Sequence, residues 1–242
     1  MGHVVGDPLP PGPGPDGRHG PHAFVTDLAS PELEPDDGRH LEWVLRVRPG
    51  DALTVSDGAG SWRACAMGTP LTVTGPIYTV ATPTPVLTVA FALVKGARPE
   101  LVVQKLTELG VDEIIPFTAA RSVARWDDDK ASRQCERLAK VAREASMQSR
   151  RCHLPLVHGL RTFAEVAALP GAVLGERGGR PPSVSTSTVL IGPEGGWDEA
   201  EREAVADHVS FGGQVLRAET AALAAATILA ALRSGAVGEA GR

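Results

Sequence analysis

Cysteine is scarce in this 242-residue chain. Cys65, Cys135 and Cys152 lie far apart, and no CxxC pair occurs. This spacing argues against a disulfide framework and a cysteine zinc site, and no metal is expected. Net positive charge is also missing. The formal charge is −5, so no overall basic field advertises a nucleic-acid partner. Aromatic residues make up 4 % of the chain, which leaves Ala, Val, Leu and Gly to fill the core. The apolar run "AALAAATILAAL" (221–232) falls short of the roughly 20 residues that a membrane-spanning helix needs. The opening "MGHVVGDPLPPGPGPDG" has neither the basic start nor the apolar centre of a secretory signal. A soluble, cytoplasmic protein that avoids membranes is the expectation. Neither a G-x-S-x-G elbow nor an H-E-x-x-H site is present, which argues against a small-molecule hydrolase.

The charge that exists is uneven. Residues 1–82 hold five arginines against ten acids, so the other 160 residues balance near zero. Composition divides the chain as well. Residues 1–21 include the Pro/Gly-rich "DPLPPGPGPDGRHGP" and read as a disordered lead-in. Its literal G-x-G-x-x-G, Gly12 to Gly17, has no preceding strand and no following helix, so it is not a dinucleotide turn.

Residues 22–82 read as a small β-rich unit. "HLEWVLRVRPGD" begins helix-like. "ALTVSDGAGSWRACAM" alternates on both sides of Asp57-Gly58, a hairpin signal. "PLTVTGPIYTV" reads as another strand pair, and "ATPTP" as a linker. Over residues 83–242 the period changes. The apolar run "VLTVAFALV" predicts a strand buried on both faces. "PELVVQKLTELG" carries Pro99 where a helix starts and Gly110 where it ends. "VDEIIPF", a long charged helix, "GAVLGERGG" and "STVLIGPEGG" follow. "GGQVLRAETAALAAATILAALRSG" reads as a last strand, a turn and a helix. Strand–helix alternation predicts a mostly parallel α/β sheet with ligands at the carboxyl ends of its strands.

Three loops would open at that edge: "LGERGG", "IGPEGG" and "LRAETA". None matches a phosphate-binding fingerprint, and Glu194 in the middle one would repel a phosphate. Gly192, Gly195 and Gly196 leave backbone bare enough for a flat ligand to approach. Asp198 and Glu201 are spaced as a capping box for the next helix.

Four stretches, "LIGPEGGWDEAERE", "QVLRAETAALAA", "KGARPELVVQKLTELGVDEIIPFTAARSVARW" and "AREASMQSRR", resemble the ribosomal RNA small subunit methyltransferase E family. The resemblance runs from about Phe24 to the C-terminal region. It implies a SPOUT α/β domain with a C-terminal trefoil knot, preceded by a small PUA-like β-barrel that binds RNA. It also implies methylation of N3 of a uridine in 16S rRNA of the small ribosomal subunit, with S-adenosylmethionine as cofactor, by a homodimer. The cofactor has no phosphate and carries a cationic sulfonium, so an acid in its pocket is no liability. By position, the cofactor residues are Leu174, Gly175 and Glu176; Ile191, Gly192, Pro193, Glu194, Gly195 and Gly196; and Val215, Leu216, Arg217, Ala218, Glu219, Thr220 and Ala221. The chain departs from the family pattern at Ala218, where threonine is common, and at Met147 and Arg150 in the long helix; Gln148 and Arg151 keep it.

Uracil N3 is a poor nucleophile until its imide proton leaves. A base and a nearby cation are the minimum apparatus. Glu194 and Arg217 are the pair these loops offer as catalytic residues. Lys105 and Glu108, at i and i+3, read as an ordinary ion pair. Candidates for RNA contact are Lys95, Arg98, Arg121, Arg125, Gln148 and Arg151. Arg133, Arg137, Lys140, Arg143 and Arg150 crowd the same helix as Arg151. Two other readings remain: a SPOUT enzyme acting on a ribose 2′-OH, and a noncatalytic RNA-binding assembly factor.

Overall fold

The structure is a computed structural model in which residues 14–94 and 98–238 are described, Arg98 by its backbone only. Gly12, most of the Pro/Gly-rich lead-in, Lys95 and the Arg98 side chain lie outside these residues. The chain forms two compact units: residues 1–82 with Ser146–Leu154, and Pro83–Ala145 with Pro155–Arg242.

In the first unit, β1 (His22–Phe24) precedes a short helix α1 (Pro35–Arg39), which runs into a single π turn over His40–Val44. The strands β2 (Ala52–Ser56) and β3 (Ser61–Ala66) form the hairpin predicted around Asp57-Gly58. Gly58 takes φ +75° there, a conformation that glycine adopts without steric cost. β1 pairs with β2 in parallel. The sequence suggests that "PLTVTGPIYTV" is a strand pair, but β4 (Thr72–Val73) and β5 (Tyr78–Thr79) each pair with β3 instead of with each other. The core of this unit gathers Ala23, Leu41, Leu53, Val55, Cys65 and Leu71. Met147 packs against it, so the residue standing where the family pattern differs fills a hydrophobic gap. Arg150 is also structural: at φ 59° its guanidinium donates to the Gly20 carbonyl. Ser56 Oγ and the Gly60 N–H donate to the Cys152 carbonyl at 3.1 and 3.0 Å, which lays residues 150–154 across the hairpin.

The second unit is an α/β layer structure. Its elements are β6 (Thr88–Ala92), α2 (Arg98–Glu108), β7 (Glu113–Thr118), α3 (Asp128–Ser149, whose last turn belongs to the first unit), β8 (Leu156–Val157), β9 (Arg161–Thr162), α4 (Phe163–Ala167), β10 (Ala172–Arg180), β11 (Thr188–Ile191), α5 (Glu199–Ala204), β12 (His208–Val209) and α6 (Ala218–Arg233). The strands form one sheet, ordered β12-β10-β11-β6-β7-β8, with β9 also on β7. Every pairing in it is parallel.

The central strands β6 and β11 are buried at every position, as continuous apolar runs require when helices cover both faces. Alternation sorts their side chains. Val89, Phe91, Val189 and Ile191 join the core under α2 and α6. Ala90, Ala92 and Leu190 join the opposite core, with Phe117 and Trp197. The helix α2 ends before Gly110 at φ +90°, and Lys105 pairs with Glu108 at 2.7 Å. At the far end of the sheet Arg233 binds Asp112 and the carbonyls of Gly110 and Pro85. That clamp fixes the end of α6 beside the start of β6.

Two expectations fail in informative ways. "LGERGG" is not a free loop after a strand: β10 continues to Arg180. Both Gly175 and Arg180 pair with Val209, so Glu176–Gly179 bulge from the ladder. And the last strand is His208–Val209, whereas "GGQVLR" (212–217) is loop.

Candidate functional site

β11 lies between β10 and β6, and its carboxyl end opens directly into "GPEGG". The Gly196 N–H donates to the Pro193 carbonyl at 2.9 Å, closing a four-residue turn with Glu194 and Gly195 at the tip. Gly196 takes φ +70°. The box expected downstream is present: Asp198 accepts from the Glu201 N–H at 2.8 Å, and Glu201 accepts from the Asp198 N–H at 3.1 Å. Glu201 is buried, and its other oxygen takes the Ala120 N–H at 2.8 Å. One carboxylate therefore ties the loop after β7 to the helix after the glycine turn. Arg121, next in that loop, donates to the Gly195 carbonyl at 3.2 Å.

Under the turn, Trp197 is buried. Its indole N–H donates to the Gly175 carbonyl at 3.2 Å, and its ring stacks on Phe117 at 6.1 Å and 8°. A Cβ on Gly192 would stand 2.9 Å from that indole. Only glycine lets the backbone cross this closely.

A groove of about 250 Å³ opens here. Its walls unite three segments of the chain: Gly175, Glu176 and Arg177 of the bulge; Ile191, Gly192, Pro193, Glu194 and Gly196 of the turn; and Val215, Leu216, Ala218 and Ala221 at the start of α6. The remaining positions expected around the cofactor lie off the groove wall. Leu174 is fully buried in the core. Gly195 faces Arg121, whose Cβ would be 3.2 Å from an added methyl. Glu219 and Thr220 do not line it, and Arg217 is the exposed N-cap of α6 with no side-chain cap bond. The sequence did not single out Arg177, Trp197, Ser210, Phe211, Gly212 and Gln214, which also line the groove. Trp197 directly follows the glycine turn, and that adjacency is the signal that would have found it.

Electrostatically the groove is acid-leaning: Glu176 and Glu194 against Arg177. The two acids differ. Glu176 is committed, with Arg202 Nε at 2.7 Å on one oxygen and His208 Nδ1 at 3.1 Å on the other. Glu194 is exposed at the turn's tip. Beyond the bulge, Arg180 grips Asp207 with Nε at 2.9 Å, and this guanidinium holds the Asp207 carboxyl below the usual carboxylate range.

The RNA candidates separate by unit. Arg121 and Arg125 are exposed on the loop after β7 in the second unit. Gln148 and Arg151 belong to the first. On α3, Arg137 is paired with Glu100 at 3.1 Å.

A family model for an RNA methyltransferase domain matches residues 82–230. A ribosomal RNA small subunit methyltransferase E of Mycobacterium bovis is 32% identical over 227 residues, which cover 84% of this chain and 86% of that one. The chain belongs to the ribosomal RNA small subunit methyltransferase E family. A family member from Synechocystis is 33% identical, covering 81% of this chain and 71% of its own. A solved structure of a family member from Neisseria gonorrhoeae, bound to S-adenosylmethionine, superposes with a TM-score of 0.73 at 25% identity. It covers 86% of this chain and 96% of that one. Among the described residues, no group of side chains is placed to hold a metal ion, and no helix is long and apolar enough to cross a membrane.

Proposed function

We propose that this chain transfers a methyl group from S-adenosylmethionine to N3 of a uridine in 16S rRNA of the small ribosomal subunit. The observation that carries the reading is the groove at the β10 bulge and the carboxyl end of β11, where all three family segments converge. Its chemistry fits the cofactor. Bare backbone at Gly192 and Gly196 and apolar walls at Ile191, Leu216 and Ala221 suit a flat adenosine. The acid excess suits a sulfonium and would oppose a phosphate. When bound, the cofactor supplies an electrophilic methyl on a cationic sulfur.

The chain's own groups do the rest. Glu194, exposed at the tip of the turn and on the groove wall, accepts the N3 proton. Arg217 stabilises the negative charge that spreads over the uracil imide once the proton leaves. The N3–C bond then forms as the S–C bond breaks. Arg121 and Arg125 take phosphates, joined by Lys95, Arg98, Gln148 and Arg151.

The same reading makes residues 22–82 a PUA-like RNA-binding barrel. It makes residues 83–242 a SPOUT domain with a trefoil knot, and the assembly a cytoplasmic homodimer. It requires no metal.

The test is calorimetry with S-adenosylmethionine beside a methyl-transfer assay on unmethylated small subunits. Binding and turnover are expected, and Glu194→Gln should lower kcat at least roughly a hundredfold, the scale of general-base catalysis, with cofactor affinity kept. Binding without turnover would instead indicate an assembly factor.

A further inference from the structure

Trp43, Val44 and Leu45 are consecutive and 79 %, 64 % and 51 % exposed. They follow from an irregular backbone. The Leu45 N–H donates to the His40 carbonyl at 3.1 Å and the Val47 N–H to the Leu41 carbonyl at 2.9 Å, so the turn is wound wide. Leu41 is buried in the core of the first unit and Val47 packs against it, while the three residues between Glu42 and Arg46 are left outside. Arg46 then takes φ 57°, a left-handed conformation that is costly for a residue with a Cβ. Wide π turns and such outliers concentrate at functional sites, and a contiguous exposed apolar patch marks a contact surface.

Charge decides what the contact is. The first 82 residues are strongly acidic, and three of their five arginines are occupied. Arg18 pairs with Asp16 and Arg39 with Asp36. Arg63 donates to the carbonyls of Leu28 and Gly75. The other two, Arg46 and Arg48, are exposed immediately after the patch, and neither side chain has a hydrogen-bond or ion-pair partner among the described residues. An exposed indole with free guanidinium groups beside it is the combination that single-stranded nucleic acid uses: a base stacks on the ring while cations follow the backbone.

We infer that Trp43 is a stacking platform for an unpaired base of the RNA substrate, with Arg46 and Arg48 holding the adjoining phosphates. The identity of that RNA rests on the methyltransferase reading; the stacking does not. An acidic unit thereby acquires one local RNA-binding surface.

The experiment uses the full-length protein with two probes, oligouridine and unmethylated small subunits. Trp43→Ala should weaken oligouridine binding at least roughly fivefold, the lower end of base–aromatic stacking, and raise KM for subunits with kcat unchanged. Trp43→Phe should restore most of both. Calorimetry with S-adenosylmethionine should match wild type in each variant. Wild-type oligouridine affinity in Trp43→Ala overturns the inference while leaving the enzyme reading intact. Loss of oligouridine binding in a protein that never methylates subunits would uphold the inference and sink the enzyme reading. A change in light-scattering mass in Trp43→Ala would assign the patch to a contact between copies and overturn it.

Discussion

Replacing Gly192 by alanine is a demanding test of the groove. The added methyl would sit 2.9 Å from Trp197 Cε2 and 3.1 Å from Cδ2 and Cζ2, inside van der Waals contact. The indole cannot swing aside. It is buried, donates to the Gly175 carbonyl, and is stacked on Phe117 and packed against Phe163. Overpacking of this kind costs about 1–3 kcal/mol, which lowers Tm by roughly 2–12 °C for a protein of this size. The cheaper relaxation is for the 192–196 turn to move outward, into the space proposed for the cofactor. S-adenosylmethionine affinity should then fall at least tenfold, about 1.4 kcal/mol. Adding Trp197→Phe, which lacks the outer indole atoms, should recover part of both losses. Calorimetry and thermal melts on the four proteins of that cycle give the coupling, expected to be on the order of 1 kcal/mol. Wild-type affinity and Tm in Gly192→Ala would show that the crossing is loose and that the glycine is not required by the groove.

Glu201→Ala should destabilise by about 1.5–3 kcal/mol, because the Ala120 and Asp198 N–H groups both lose a carboxylate acceptor; an unchanged denaturation midpoint would contradict this. Arg125→Ala should weaken RNA binding and flatten the log–log salt slope by roughly 0.7–0.9 with cofactor affinity kept, whereas Arg121→Ala should lower both affinities, since Arg121 also holds the Gly195 carbonyl. Burial, with Arg150 nearby, pushes the His22 imidazole down to about 4. The unfolded chain therefore binds this proton first, so the stabilising contribution is complete above about pH 6.5 and is lost as pH falls from there toward 4, with a slope of at most about 1.4 kcal/mol per pH unit. Denaturation across that window should show the slope in wild type and lose it in His22→Gln.

What the sequence revealed follows what is local. The strands β6 and β11 are legible because a strand covered on both faces must be apolar throughout, and α2 because Pro99 and Gly110 punctuate it. The capping box after the glycine turn is a four-residue pattern and reads directly. The bulge in β10 does not. Its glycines suggest a loop, yet Gly179 serves a close strand approach, where a Cβ would lie 2.6 Å from the His208 carbonyl oxygen. β12 has only two residues, too few for any periodicity, so Phe211 was missed along with it. The return of Ser146–Leu154 to the first unit depends on contacts with residues nearly a hundred positions earlier. Met147 shows only an apolar side chain in a polar helix until its partners are known. Arg217 and Glu194 stand out in the sequence by their chemistry alone, and only the fold separates their settings: Glu194 on the groove wall, Arg217 exposed at a helix start.

Mass-spectrometric mapping of 16S rRNA tests the central claim most directly. Small subunits from a strain lacking this protein are incubated with the purified chain and S-adenosylmethionine, digested, and compared with untreated subunits. The account predicts one new N3-methyluridine, absent without the cofactor and strongly reduced with Glu194→Gln. A ribose 2′-O-methyl group in its place, or no new methyl group from a protein that binds both cofactor and subunit, would contradict it.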